Sequence, residues 1–212
     1  MTRLQAAAVA ALVTLGGASA QAQPLTFTAM LTNSQENPPT VPTTVAGAPR
    51  TSFGFATFVL NAERTSMTFT ATITGVDFTG SQSADVNDNL LAAHIHAGPN
   101  VPPTNNPVVW GFFGQPFNDN NPNDVVTTPF VNTVGGTISG KWDAAEGNNT
   151  TLLLQLPNIL AGRSYINFHT TQFPGGEVRG AIVATPEPGA LVLLGSGLLG
   201  VALVARRRAR MG

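Results

Sequence analysis

Apolar and polar side chains alternate without interruption along residues 66–74, where Met, Phe, Ala and Ile are separated by Ser or Thr. Successive side chains of a β-strand point to opposite faces, so this pattern predicts a strand with one buried and one exposed face. Residues 25–32 alternate in the same way. No central segment shows a sustained 3.6-residue period, so we expect an all-β domain of short antiparallel strands, a sandwich or a barrel. The other strand-like segments are 52–61, 91–97, 107–114, 130–142, 151–156, 164–169 and 177–184.

The composition excludes several functions. The 212-residue chain has no cysteine, which excludes disulfides, thiolate metal ligands and a cysteine nucleophile. Only 10% of the residues are charged, and residues 23–185 carry five basic and ten acidic side chains. A domain with this excess of acid is unsuited to a phosphate backbone, so we expect no nucleic-acid partner.

Residues 1–22 have the features of a secretory signal peptide. Arg3 supplies the positive charge, residues 6–15 form a short apolar run, and residues 18–20 read Ala-Ser-Ala, a small-residue cleavage site. We therefore expect export from the cytoplasm. The alternative is an uncleaved N-terminal anchor.

Residues 186–212 contain three features in order. The tripeptide Pro186-Glu187-Pro188 comes first, and the 17 residues of 189–205 carry no charge. As a helix these would reach about 25 Å, near the short limit for a membrane span. The flanking arginines favour a transmembrane helix with its C-terminal end in the cytoplasm over the alternative of a buried core helix. These arginines are Arg206, Arg207, Arg208 and Arg210.

This order resembles the PEP-CTERM sorting signal of Gram-negative bacteria. The resemblance implies processing by an exosortase-type enzyme, with the helix as a temporary inner-membrane anchor. It also implies delivery to the cell envelope, the surface or the extracellular space.

All three histidines lie in strand-like segments. His94 and His96 flank Ile95, which is expected in the core, so both imidazoles should lie on the opposite face of the strand. His169 follows Phe168 and is expected on that same polar face. We therefore predict that the three imidazoles lie together on the solvent side of the sheet.

A hairpin is predicted around Pro174-Gly175-Gly176, because glycine accommodates the positive φ of tight turns. Pairing Phe168 with Val178 keeps the apolar residues on one face and places His169 opposite Glu177. The predicted outward-facing polar set then comprises His94, His96, Tyr165, Asn167, His169, Glu177 and Arg179.

Two main interpretations of this polar set stay open, and a small-ligand or catalytic site is a third. Three imidazoles and a carboxylate are a plausible Zn or Cu site, with Glu177 as the fourth ligand or orienting a histidine. Alternatively, the set is a structural hydrogen-bonded network in which Glu177 pairs with Arg179. Three histidines cannot fill a dinuclear copper–zinc site, and no Gly-x-Ser-x-Gly occurs, so we expect no enzymatic activity.

Three segments together resemble a CHRD domain: residues 94–99 (HIHAGP), residues 165–180 (YINFHTTQFPGGEVRG) and residues 35–39 (QENPP). The resemblance implies an antiparallel Greek-key-type sandwich, immunoglobulin- or superoxide-dismutase-like, over residues 23–185, and an extracytoplasmic role. It also implies that Glu36 belongs to the same motif, which would bring it near the histidines. It implies no particular activity.

We therefore predict an exported envelope or surface protein that acts as a non-enzymatic binding or structural module. Its expected partners are an exosortase-type enzyme, the membrane and an unidentified envelope or matrix component. The alternative is a Zn- or Cu-binding metalloprotein, redox-active in one version, that uses the His/Glu cluster.

Overall fold

The structure is a computed structural model that describes residues 22–186 and 188–211. The predicted signal peptide, apart from Ala22, lies outside the described residues, as does Glu187 of the sorting tripeptide. Short 3₁₀ helices occupy Asn33–Gln35 and Val86–Asp88. The helices are α1 (Leu152–Leu160) and α2 (Pro188–Met211). The strands are β1 (Leu25–Thr32), β2 (Phe53–Leu60), β3 (Ser66–Thr74), β4 (Leu90–Ala97), β5 (Val108–Phe113), β6 (Val126–Pro129), β7 (Gly135–Asp143), β8 (Ser164–Thr170), β9 (Val178–Ala181) and β10 (Val183–Ala184).

The strands form one antiparallel sheet in the order β5-β4-β8-β9-β1-β2-β3-β7-β6, with β10 paired to β1. The sheet is curled. This is shown by the aromatic side chains of β5, at one end of the sheet, which pack against β3 and β7 near the other end. Trp110 stacks on Trp142 of β7 at 5.6 Å between ring centroids, and Phe112 lies 4.7 Å from Phe69 of β3. The predicted antiparallel β fold is confirmed, and the curl makes it sandwich-like, with one hydrogen-bonded sheet enclosing the core.

Strand β3 confirms the alternation from which the prediction began. Its apolar side chains at 67, 69, 71 and 73 are buried, and the threonines between them are exposed. The next strand, β2, has the same alternation and pairs with β3 in register, Phe58 opposite Phe69. The core therefore fills the concave side of the curl, while the convex side of β2 and β3 faces solvent.

One predicted strand is wrong. Residues 151–156 are not a strand, because helix α1 begins at Leu152. The Thr151 side chain caps this helix by accepting a hydrogen bond from the Leu154 N–H at 3.3 Å. Leu152 and Ile159 are buried and seven residues apart, which places them on one helix face. The predicted strand 130–142 is also shorter than expected, since β7 begins only at Gly135.

The predicted transmembrane segment 189–205 falls within α2. None of the helices formed by the described residues combines the length and the apolar character that crossing a bilayer requires. The span is therefore not confirmed.

Candidate metal centre

Strands β4 and β8 bring the three histidines together. The two strands pair with His94 opposite Asn167 and with His169 opposite Ala92. These two pairs are neighbours on the same face of the sheet, so His94 and His169 lie side by side. The predicted hairpin register is also observed, with Phe168 opposite Val178. One ring nitrogen from each of His94, His96 and His169 lies within 4.8 Å of the other two. The closest pair is His94 Nδ1 and His169 Nε2, at 3.1 Å.

The other nitrogen of each ring contacts a backbone carbonyl. His94 Nε2 lies 2.9 Å from the carbonyl oxygen of Gln115, and His96 Nδ1 lies 2.9 Å from that of Asn106. His169 Nδ1 lies 2.9 Å from the carbonyl oxygen of Pro174. A carbonyl oxygen only accepts hydrogen bonds, so these ring nitrogens must carry the proton. Each imidazole is thereby held in one orientation and one tautomer.

The prediction that the histidines face solvent is wrong. They do lie opposite the core side of β4, where Ile95 is fully buried. However, the exposed fractions of His94, His96 and His169 are only 4%, 8% and 7%. The segments that carry Asn106, Gln115 and Pro174 fold over this face and contact the rings, as the hydrogen bonds above show. Strand alternation identifies the face of a side chain but carries no information about loops that cover it.

Close packing of the covering loop requires glycine at position 111 of β5. A Cβ built there would lie 1.7 Å from the carbonyl oxygen of Pro116 and 3.1 Å from His94 Cδ2. No larger residue can occupy this position without displacing the loop that holds His94.

The structure does not bring Glu177 to the histidines. Its two carboxylate oxygens accept hydrogen bonds from Arg50 at 2.5 Å each, and Oε2 also accepts one from Thr170 Oγ1 at 2.5 Å. Among the described residues, the possible ligand cluster here therefore contains the three histidines alone. The alternative pairing of Glu177 with Arg179 is not observed either.

Arg179 instead pairs with Glu36. Arg179 Nε and Nη2 both lie 3.1 Å from Glu36 Oε2, and both side chains are buried. The guanidinium also lies 4.4 Å from the centroid of the Tyr165 ring, and that ring stacks on His96 at 4.6 Å. Burial raises the pKa of Glu36 to about 7, with Arg179 partly opposing this shift.

Burial also lowers the pKa values of the three histidines. Loss of solvation lowers the pKa of His94 to about 4 and that of His96 to about 3. The pKa of His169 is lowered for the same reason. Each shift favours the neutral ring, because an imidazolium in this environment loses its hydration. At neutral pH all three rings are therefore neutral and can each offer a lone pair.

Sequence reasoning missed Arg50, which provides the charge that stabilises Glu177. Arg50 also donates hydrogen bonds to the carbonyl oxygens of Gly75 and Asn87. The sequence did contain a signal for this ion pair, since Arg50 is one of only five basic residues in residues 23–185. A buried carboxylate in such a domain needs one of these few cations.

The fold and the cluster define a class: an antiparallel β protein with three histidines buried beneath its covering loops. Residues 27–182 match the CHRD domain, and the chain belongs to this family. Residues 184–208 match the PEP-CTERM protein-sorting motif. No curated protein and no solved structure is similar enough to the chain to count as a match. The CHRD domain and the sorting motif together identify an exported surface protein that an exosortase-type enzyme processes at the envelope.

Proposed function

We propose that this exported CHRD protein binds one transition-metal ion, Zn or Cu, through His94, His96 and His169. The observation that carries the proposal is the set of three backbone carbonyls that fix the ring tautomers. Because the carbonyls take the N–H of each ring, the remaining nitrogens are all acceptors, and one nitrogen of each ring lies within 4.8 Å of the other two. Second hydrogen bonds of this kind are typical of metal-ligating histidines.

Without a cation, this arrangement is unfavourable. The lone pairs of His94 Nδ1 and His169 Nε2 face each other at 3.1 Å, and His96 Nε2 is buried without a hydrogen-bond partner. A shared proton would relieve the first contact, but the lowered pKa values disfavour it at neutral pH. A metal ion relieves all three nitrogens at once.

The spacing fits such an ion. Bonds of about 2.0–2.1 Å in tetrahedral geometry hold ligand nitrogens about 3.3 Å apart. The His94–His169 separation of 3.1 Å is close to this value. The third nitrogen lies within 4.8 Å of the other two, so it would have to approach them by up to about 1.5 Å.

We propose that the role is binding, not catalysis. A general acid or base must exchange protons with its substrate. In this cluster every ring N–H is already donated to a backbone carbonyl, and the rings are more than nine-tenths buried. The loaded domain would then serve as a structural or binding component of the envelope or matrix.

We further propose that residues 1–22 direct export, and that the apolar segment 189–205 anchors the chain in the inner membrane before exosortase processing. The support is the position of the PEP-CTERM motif at residues 184–208, directly after the β domain. The arginines that follow the segment would keep its end in the cytoplasm.

Metal analysis of the full-length chain, purified without an affinity tag, tests the metal site. We expect about one Zn or Cu per chain. His169→Asn should abolish binding, because it removes the Nε2 ligand. Its amide lies near the position of the histidine Nδ1 and can still donate to the Pro174 carbonyl, so the covering loop keeps its contact. Glu177→Gln is the matched control and should retain the metal, since that carboxylate contacts Arg50 and Thr170. A metal-free wild-type chain after equilibration with both ions, or a His169→Asn chain that keeps its metal, would refute the proposal.

A further inference from the structure

The ligand set of the histidine cluster carries no negative charge. An imidazole that keeps one N–H and binds a metal through its other nitrogen is a neutral ligand. Among the described residues, no carboxylate joins the three histidines. These ligands would therefore not neutralise the charge of a bound ion, whereas carboxylate or thiolate ligands would.

The surroundings do not supply the missing negative charge. The two buried carboxylates associated with this part of the sheet, Glu36 and Glu177, are already paired with Arg179 and Arg50. Tyr165 lies on β8, between His96 of β4 and Arg179 of β9, so Arg179 sits on the far side of the ring that stacks on His96. The positive charge of Arg179 acts on both His96 and His169. The electrostatic environment therefore opposes a second positive charge.

Burial makes this opposition depend strongly on the charge of the ion. The penalty for transferring an ion from water to a low-dielectric interior grows with the square of its charge, so a divalent ion pays about four times as much as a monovalent one. With ligands that are 4–8% exposed, water can offset little of this difference.

We infer that the ion bound by His94, His96 and His169 is copper in its monovalent state. This inference rests on the proposed metal site and names its ligand. Na⁺ and K⁺ are also monovalent, but such hard cations prefer oxygen ligands, whereas imidazole nitrogens suit copper. Monovalent copper accepts two or three ligands, while zinc in structural sites takes four. The three-nitrogen cluster therefore fits Cu(I) in both charge and number.

Competition between metal ions tests the inference on the full-length chain in detergent. The apo protein is titrated with Cu(I) under anaerobic reducing conditions against a Cu(I)-specific chromophore, and separately with Cu(II) and with Zn²⁺. We expect one Cu(I) per chain, bound more tightly than either divalent ion. Tighter binding of Cu(II) or Zn²⁺ than of Cu(I) would overturn the inference and leave the metal site intact. Binding of none of the three ions would refute the proposed function itself.

A charge variant tests the physical reason. Asn167 lies opposite His94 on the same sheet face, and its Oδ1 is buried without a partner. Asn167→Asp places a carboxylate beside the cluster and should raise Zn²⁺ affinity at least tenfold, with a smaller change for Cu(I). Thr57→Asp adds the same charge on the exposed convex face and should change neither affinity. Equal effects of the two variants, or no gain of Zn²⁺ affinity in a folded Asn167→Asp chain, would contradict the charge argument.

Discussion

The ion pair between Arg50 and Glu177 is the interaction whose loss should most weaken the domain. Glu177 is fully buried, and Arg50 contacts both of its carboxylate oxygens. Arg50 also donates to the carbonyl oxygens of Gly75 and Asn87 and to the Gln172 side chain. Gln172 and Glu177 lie in the same loop between β8 and β9, so Arg50 connects its own segment to three others. Arg50→Met keeps most of the side-chain volume and removes the charge. The variant therefore isolates the ion pair and its hydrogen bonds.

The expected cost follows from the burial of Glu177. Removing one partner of a buried pair leaves an uncompensated charge and costs about 3–5 kcal/mol. In a domain of this size each kcal/mol lowers the melting temperature by about 2–4 °C, so Arg50→Met should lower it by about 6–20 °C. Circular dichroism during thermal and denaturant unfolding measures both quantities.

Two further variants make this experiment decisive. Adding Glu177→Gln to Arg50→Met should restore part of the loss, because the orphaned charge is then absent. Lys141→Met is the matched control: Lys141 pairs with Asp124 and Asp143 at 3.2 and 3.0 Å, but all three side chains are roughly a quarter to a third exposed. Such a pair contributes about 0–1 kcal/mol. If Arg50→Met cost no more than Lys141→Met, the reasoning from burial would be refuted.

Three other predictions concern pH, the hairpin and the C-terminal segment. The folded-state pKa values of His94 and His96, about 4 and 3, lie below the ordinary value of 6.5. The folded state is therefore fully stable above about pH 6.5 and loses stability as the pH falls toward 3. His96→Phe should reduce this loss in unfolding measurements on the metal-free chain. Gly176→Ala should destabilise the domain by about 1–3 kcal/mol, because φ is +125° and a Cβ would lie 2.5 Å from the Asn167 side chain. Deletion of residues 186–212 should yield a soluble exported protein, measured by membrane fractionation.

Each of these has a result that would contradict it. An unchanged pH profile in His96→Phe would show that the ring does not titrate as its burial requires. Gly175→Ala is the control for Gly176→Ala, since a Cβ at Gly175 meets nothing within 4 Å. An equal loss of stability in the two variants would show that the positive φ and the crowding at Gly176 are not the cause. A truncated chain that still sediments with membranes would show that the removed segment is not the only anchor.

The local parts of the site were predictable because they depend on short-range patterns. Alternation along β4 assigns His94 and His96 to the face opposite Ile95. Matching Phe168 with Val178 sets the β8–β9 register, since a one-residue slip would expose every apolar side chain of the hairpin. The strand prediction failed at residues 151–156, where the pattern does not alternate. Three successive leucines suit either a buried strand or a helix, and the Thr151 cap favours the helix.

The partners of the buried charges could not be predicted, because they come from distant segments. Glu177 binds Arg50, 127 positions away, and Arg179 binds Glu36, 143 positions away. Strand periodicity relates neighbours on one strand or one hairpin, whereas these contacts depend on where an irregular segment is folded. For the same reason, the sequence could not show that Glu177 binds Arg50 and does not join the histidines.

The amino-acid sequence was thus sufficient to predict the β class, the shared face of the three imidazoles and the terminal sorting motif. The first two follow from the alternation of side chains along single strands, and the third is a contiguous stretch of residues. Only the folded chain decided that the imidazoles are enclosed, that backbone carbonyls set their tautomers and that both nearby acids are neutralised by arginines. These properties arise where loops from separate parts of the chain converge, and the free energy of burying a polar group depends on that convergence.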